Sequence, residues 1–453
     1  MGYRPGQVSA AQIRIGGVKG VLGVVQDGDL RDRDIRVRPS MVKIHGHISM
    51  NTLNVIKVAV YSKATLNRQA ILLLEDRGVS ADVLMEIFLE EKRKIEGLNT
   101  GFDPARLASI SVFPISEAIS SRIDDPFVQN VKQLISCRLL SDLKWKAWIE
   151  VDQSAYLMAI ADETDSLEEG QVFCQIQAPG SDPQVIEGKC TEYRNPCLHP
   201  GDIRSVQAVD CHRLRHLMNV IVFSTRGDRD LPNMLSGGDL DGDHYTLIWD
   251  ERFRIRDECI HEPMDYTAPS PVKSPVPVTL EQTKQHFINL IKNDLLGRVC
   301  NAHMALADQR SASDPICLEL AGLASQAVDF PKTGVPVKQS QLPLIGKYPD
   351  YMGKEYRAIR VFRKQPINSY RSEKALGQIF RSIDPEPLYE EAQGYHGEGR
   401  LLGIERSVDC KSYLPAVAMH KARYEFELTG LLRRCDMNAL PSYYCHAYYN
   451  SQV

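Results

Sequence analysis

Leu235-Ser236-Gly237-Gly238-Asp239-Leu240-Asp241-Gly242-Asp243 places three carboxylates on alternate residues, with glycines before and between them. In extended backbone, side chains at i, i+2 and i+4 point to one side. Glycine carries no Cβ and lets such a segment curl tightly. Asp239, Asp241 and Asp243 are thereby able to converge on a hard divalent cation. Without a cation, three clustered carboxylates repel one another and raise their own pKa values. Carboxylate oxygens, water and a phosphate make a common Mg²⁺ shell, and that chemistry moves phosphoryl or nucleotidyl groups. A solvated Asp/Gly turn is the plainer reading, but the loop sits between apolar, strand-like Val220-Ile221-Val222-Phe223 and Tyr245-Thr246-Leu247-Ile248-Trp249. A Ca²⁺ loop of the EF-hand type starting at Asp239 needs glycine sixth and glutamate twelfth. Those positions hold His244 and Asp250. The segment therefore reads as a catalytic metal site, with a Ca²⁺ or structural metal site as the alternative.

Outward from the loop, residues 151–260 have β character and carry the acidic segment. Residues 8–75 also read as strands with glycine turns, with the partial alternation of a small closed barrel. Between them, residues 79–150 look helical, with Val83, Leu84, Ile87 and Phe88 at 3–4 spacing. Pro263, Pro269, Pro271, Pro275 and Pro277 mark a stiff linker at 261–278. Beyond it, Phe287, Ile291, Leu295 and Val299 recur every four residues and predict one long helix with a core-facing stripe. Residues 279–453 read as mostly helical. The order β, α, β, α gives an α+β protein.

At 453 residues the chain is long enough for two or three domains. Its 43% hydrophobic and 25% charged residues are ordinary for a globular protein. No apolar run approaches the ~18 residues that span a bilayer, so no membrane contact is expected. Met1-Gly2-Tyr3-Arg4-Pro5-Gly6 has no apolar core of a signal peptide, so an intracellular location, nucleus and/or cytoplasm, is expected. The 11 cysteines include no C-x-x-C pair, which points to reduced thiols rather than zinc or a disulfide framework. Cys197 and His199 are close, but no third group orients them as a nucleophile and base. The net charge of −4 argues against non-specific coating of nucleic acid. Phosphate binding depends on local fields, and two local basic sets exist: Arg31, Arg33, Arg36 and Arg38, and Arg357, Arg360, Arg363 and Lys364.

An ordered series of blocks resembles the eukaryotic cellular RNA-dependent RNA polymerases of RNA silencing, in their fungal-like form. Upstream blocks are Gly17-Val18-Lys19-Gly20-Val21-Leu22, Arg38-Pro39-Ser40-Met41, Leu66-Asn67-Arg68-Gln69 and Leu167-Glu168-Glu169-Gly170-Gln171-Val172-Phe173. Arg194-Asn195-Pro196-Cys197-Leu198-His199-Pro200-Gly201-Asp202 and Leu231-Pro232-Asn233-Met234 lead into the acidic loop. Asn293-Asp294-Leu295-Leu296-Gly297, Ala327-Val328-Asp329-Phe330-Pro331-Lys332-Thr333-Gly334 and Tyr370-Arg371-Ser372-Glu373-Lys374-Ala375-Leu376-Gly377 follow.

The resemblance implies two double-psi β-barrels joined by a helical linker. The first, at 1–78, is expected to be incomplete, since the chain starts inside it; the second, at 151–260, is catalytic. It implies template-directed nucleotidyl transfer from nucleoside triphosphates, copying single-stranded RNA into double-stranded RNA, with two Mg²⁺ (or Mn²⁺) ions about 3.5–4 Å apart. Asp239, Asp241 and Asp243 match the metal-binding aspartates. Lys19 and Lys43 match basic residues of the first barrel that face the site. Arg38 and Arg68 are second choices for phosphate, because the guanidinium fork suits bidentate contacts. Arg194 and His199 are candidates for the nucleotide, and Lys332 for nucleic-acid phosphate. The helix around Asn293, Gly297 and Asn301 is expected to line the template path. Dicer and Argonaute enter as pathway partners by analogy alone.

Three rival readings stay open at this stage. A DNA-templated polymerase shares the barrel chemistry, and template type is decided by 2′-hydroxyl contacts that the sequence does not show. An inactive truncated paralogue would bind RNA or a silencing partner. A metal-dependent nuclease needs a base to activate water, and His244 should alternate to the face opposite Asp243.

Overall fold

The computed structural model describes residues 8–26, 35–44, 52–97, 126–178, 180–267, 270, 276–353 and 368–384. Arg31, Arg33, the set Arg357, Arg360, Arg363 and Lys364, and the tail from 385 onward lie outside them. Two units divide the chain: Met1–Lys94 with Leu140–Ile383, and Ile95–Leu139 with Asp384–Val453. Among its described residues, the second unit consists of helical segments. The site belongs to the first.

β1 (Ala10–Ile15) pairs antiparallel with β2 (Val18–Gly23) on one edge and β3 (Leu53–Val58) on the other. The β1–β3 register shifts between Gln12 and Ile13. This bulge breaks strict alternation, so neighbouring side chains are re-aimed. Ile13, Val18 and Met41 are buried on one side of this sheet.

The strand reading of residues 8–75 stops short of its end. α1 (Arg68–Asp76) is a helix, because the Asn67 side chain caps the Ala70 N–H and Ile71, Leu72, Leu73 and Leu74 are all buried. Each such side chain contributes about 1.5–3 kcal/mol of hydrophobic stabilisation, which outweighs the β-leaning Ile71. α2 (Ala81–Gly97) and α3 (Pro126–Lys146) follow.

The second barrel contains β4 (Ser154–Ala161), β5 (Gln171–Ile176), β6 (Gln184–Val185), β7 (Gly188–Arg194), β8 (Arg204–Ala208), β9 (Val220–Phe223) and, after the one-turn helix α4 (Leu231–Met234), β10 (His244–Ile248). Six strands close in the order β5-β8-β7-β10-β4-β9 and back to β5, with β6 appended to β5. β4 with β9 and β5 with β8 are parallel, while the other pairings are antiparallel. This closed six-strand barrel agrees with the double-psi fold expected for 151–260. Leu157, Val172, Val206, Ile221, Phe223 and Leu247 fill its interior. The acidic loop joins α4 to β10 and so sits at the rim of the closed barrel.

The one long helix expected after the linker is two. α5 (Leu280–Lys292) starts at a Thr279/Gln282 capping box and ends at Asn293, and α6 (Leu296–Gln309) begins after the break. The apolar stripe is not core at its start either, because Phe287 and Ile291 are more than 60% exposed. Asp294, which accepts from the Leu296 N–H, favours a fresh start over continuation. α7 (Pro315–Thr333) has Asp314 as N-cap, Pro315 at its first position and Gly334, φ 74°, as its left-handed stop. Asp76 of α1 accepts from Ser311, Ala312 and Ser313, which pins the α6–α7 turn. β11 (Tyr348–Pro349), β12 (Ser369–Tyr370) and α8 (Ala375–Arg381) complete the described chain. No helix among the described residues is long and apolar enough to cross a membrane.

Candidate active site

The loop does not use the extended backbone that its alternation implied. It curls: Ser236, Gly237, Leu240 and Gly242 have φ of 54°, 68°, 55° and 129°. Left-handed leucine costs roughly 1–2 kcal/mol, and Leu240 offsets this by packing against the barrel core. Two glycines are dictated by space. A Cβ on Gly242 would lie 2.1 Å from the Gln12 amide nitrogen, and one on Gly238 would lie 1.9 Å from the Tyr245 hydroxyl.

The curl brings one carboxylate oxygen from each of Asp239, Asp241 and Asp243 within 4.8 Å of the others. The Asp239 N–H donates to Asp243 Oδ2 at 3.1 Å, and the Asp241 N–H to Asp239 Oδ1 at 3.3 Å. Burial first, then the Asp241 and Asp243 charges, raises the Asp239 pKa. A compact set of hard oxygen donors under mutual repulsion fits a divalent cation such as Mg²⁺ or Mn²⁺.

Cations from three distant segments face this set. Lys19 of β2 pairs with Asp241. Arg194 of β7 donates to Asp243 Oδ1 and to the Ser236 carbonyl, each at 2.9 Å, so it ties the two ends of the loop together. Lys332 of α7 lines the same cleft, and its charge opposes the rise at Asp239. Gln12 of β1 donates to the Asp241 carbonyl at 2.9 Å. The cleft so enclosed has a volume of about 200 Å³.

In the wall of the cleft, Asp202 accepts the Leu198 and His199 N–H groups, both at 2.9 Å, and the Tyr266 hydroxyl. Burial pushes its carboxyl up to about 6. These contacts hold the turn that follows the cis Asn195–Pro196 bond.

Of the residues proposed from sequence, Asp239, Asp241, Asp243, Lys19, Arg194 and Lys332 line one cleft. The other four do not line it. His199 is buried, accepts the Gly201 N–H on Nδ1 and lies edge-on to His261, with burial lowering its pKa to about 4. Arg38 pairs with Glu163, Lys43 is exposed, and Arg68 reaches the Tyr351 carbonyl. His244 lies against Tyr156 and its Nδ1 faces the Gly242 carbonyl, outside the lining of the cleft. Sequence reasoning passed over Gln12, which carried no signal beyond its place in a strand. It also passed over Tyr245, which looked like ordinary barrel core two residues after Asp243.

Comparisons with known proteins show the family. The model of the "RNA dependent RNA polymerase" family matches residues 1–383. "Probable RNA-dependent RNA polymerase 1" of Oryza sativa subsp. japonica is 34% identical over 442 residues, covering 94% of this chain and 57% of that protein. "RNA-dependent RNA polymerase 1" of Schizosaccharomyces pombe is 35% identical over 418 residues, covering 82% of this chain and 33% of that protein. The namesake in Arabidopsis thaliana is 34% identical over 450 residues, covering 94% and 38%. The chain thus spans between a third and three-fifths of these relatives. The solved structure of RNA dependent RNA polymerase QDE-1 from Thielavia terrestris shares the fold, with a TM-score of 0.64 and 20% identity over 96% of this chain and 54% of that one. A double-psi barrel with three aspartates at its rim, matched by the family over most of its length, leaves one conclusion: the chain belongs to the RNA-dependent RNA polymerase family.

Proposed function

We propose that this chain performs RNA-directed RNA synthesis, joining nucleoside triphosphates on a single-stranded RNA template. The observation that carries the reading is the meeting of three carboxylates with Lys19, Arg194 and Lys332 in one cleft. Asp239, Asp241 and Asp243 would hold Mg²⁺ or Mn²⁺, which supplies charge to polarise the α-phosphate and to acidify the attacking 3′-hydroxyl. The protein's remaining task is positioning and charge stabilisation. Lys19 and Lys332 flank the aspartates and offset triphosphate charge. Arg194 fixes Asp243 and the loop end at Ser236 and leaves the phosphates to the lysines. Arg38 and Lys43, exposed outside the cleft, are suited to RNA phosphate. His244 lies outside the lining of the cleft, which disfavours a nuclease that needs a base there.

Double-stranded RNA made this way would feed small-RNA silencing in nucleus or cytoplasm, with Dicer and Argonaute as pathway partners by family analogy. The test is incorporation of labelled nucleotide by the purified chain on matched single-stranded RNA and DNA templates, with Mg²⁺ or Mn²⁺, beside Asp243→Ala. Incorporation that requires the RNA template and vanishes in the variant supports the reading. A folded chain that binds RNA and incorporates nothing supports an inactive paralogue instead.

A further inference from the structure

One face of α7 lines the same cleft as the aspartates. Ala324, Ser325, Val328, Asp329 and Lys332 all line the cleft, and their spacing of one, three, one and three residues is a single helical stripe. Lys332 marks the phosphate end of this stripe, because it is the stripe's one cation and lines the cleft with the three aspartates. Asp329 lies about 4–5 Å and Ser325 about 10 Å further along the helix axis, at 1.5 Å per residue.

Asp329, like Asp202, puts a carboxylate in this cleft outside the three aspartates that would hold the metal. Its carboxylate is an ion-pair partner of Lys332 at 3.5 Å, and its side chain is 21% exposed. An ionised carboxylate only accepts hydrogen bonds. Beyond the phosphates, a nucleotide offers two kinds of donor: base amino and imino groups, and ribose hydroxyls. Base edges change with every template position, so a copying enzyme cannot spend a fixed contact on them. Ribose hydroxyls are the same in every substrate, and the 2′-hydroxyl is what separates ribo- from deoxyribonucleotides. Small Ala324 and Val328 beside the two polar groups leave a shallow floor against which a sugar can rest.

We propose that Asp329, seconded by Ser325 one turn before it, accepts hydrogen bonds from the ribose hydroxyls of the incoming nucleotide and sets the preference for ribonucleotides. This rests on the polymerase reading above and adds the sugar specificity of the same cleft. The bland rival is that Asp329 merely holds Lys332. The two roles differ in one readout. Losing a holder of Lys332 weakens ATP and dATP equally, whereas losing a sugar contact changes their ratio.

The experiment is displacement of a fluorescent ATP analogue from the full 453-residue chain by ATP and by dATP, with Mn²⁺ present, read by anisotropy. Wild type, Asp329→Ala, Asp329→Asn and Ser325→Ala are compared, with nucleotide incorporation measured alongside. A hydrogen bond to a charged acceptor makes the ATP-over-dATP preference about 10–100-fold larger than without it. Asp329→Ala should lose that factor, Asp329→Asn should keep part of it through its remaining carbonyl, and Ser325→Ala should lose roughly fivefold. Equal affinity of wild type for ATP and dATP overturns the proposal, as does no binding of either. A ratio unchanged in the variants, with both affinities lowered, also overturns it. A chain that discriminates the sugars but incorporates nothing sinks the polymerase reading alone. A chain that incorporates while its variants keep the ratio sinks this one alone.

Discussion

Gly238→Ala tests whether loop height is set from below by Tyr245. A methyl at Gly238 would sit 1.9 Å from the Tyr245 hydroxyl, 2.9 Å from its Cζ and 2.9 Å from the Pro232 carbonyl. Ordinary contact needs about 3.5 Å, so the loop or the ring must give by about 1.5 Å. The ring cannot give readily. Tyr245 is fully buried and packs edge-on against Phe223 at 5.0 Å. The loop must therefore lift, and Asp239, the next residue, lifts with it. A misplacement of about 1 Å at a reacting centre costs on the order of 10²-fold in rate. Overpacking of this kind costs about 1–3 kcal/mol in stability. Incorporation should accordingly fall about a hundredfold while the melting temperature drops by only a few degrees. Tyr245→Phe removes the atom in closest conflict and leaves Cζ. On its own it should be nearly silent, because the buried hydroxyl makes no hydrogen bond among the described residues. Combined with Gly238→Ala it should restore part of the lost rate. Wild-type activity in Gly238→Ala would refute the argument. So would a double variant no better than the single one, since the conflict would then lie with Pro232.

Further outcomes follow from the same geometry. Lys19→Met should raise the nucleotide KM and lower the rate about 10–100-fold, with Lys19→Arg recovering part; an unchanged KM would remove Lys19 from the triphosphate. Glu192 is fully buried in β7 without a partner among the described residues, and burial holds its pKa well above the ordinary range. The folded protein keeps a proton that the unfolded chain releases above about pH 4.3, so this group's contribution falls as pH rises. Glu192→Gln should flatten that slope in melts taken from pH 5 to 8, and an unaltered slope would show the carboxyl to be solvated. His303 has the opposite sign. Burial lowers its pKa to about 4, so its contribution is complete above about pH 6.5 and is lost as pH falls towards 4. His303→Leu should melt less pH-dependently across that window.

How much of this was legible beforehand depended on how locally each feature is encoded. The acidic loop announces itself because three like charges on alternate residues are costly unless something binds them. The two β regions and the helices between them follow from period and punctuation. What failed was of another kind. The strand reading ran through Leu66-Asn67-Arg68-Gln69 because local propensity there is mixed, and Asn67 became a helix cap only once Ile71–Leu74 had a core to enter. The single helix drawn through Phe287 and Val299 ignored Asn293-Asp294, whose side chains compete for backbone hydrogen bonds.

The site itself divides along the same line. Lys19 and Gln12 reach Asp241 across more than 200 residues, and nothing in Gln12-Ile13-Arg14-Ile15 distinguishes the glutamine from any polar residue of a half-buried strand. Only barrel closure decides that the rim bearing the aspartates faces β1 and β2. Arg38, Lys43 and Arg68 carry the same charge and sit in equally recognisable blocks, yet they face other surfaces. Charge and neighbourhood in sequence therefore nominate phosphate ligands, whereas strand register selects among them. Lys19 is opposite Arg14 in β1, and Arg14 turns back to the Ile13 carbonyl while Lys19 reaches the aspartates. One residue of slip in that pairing would exchange the faces of the strand. The register of β1 against β2 thus helps to build the proposed site, even though neither strand contributes one of the three aspartates.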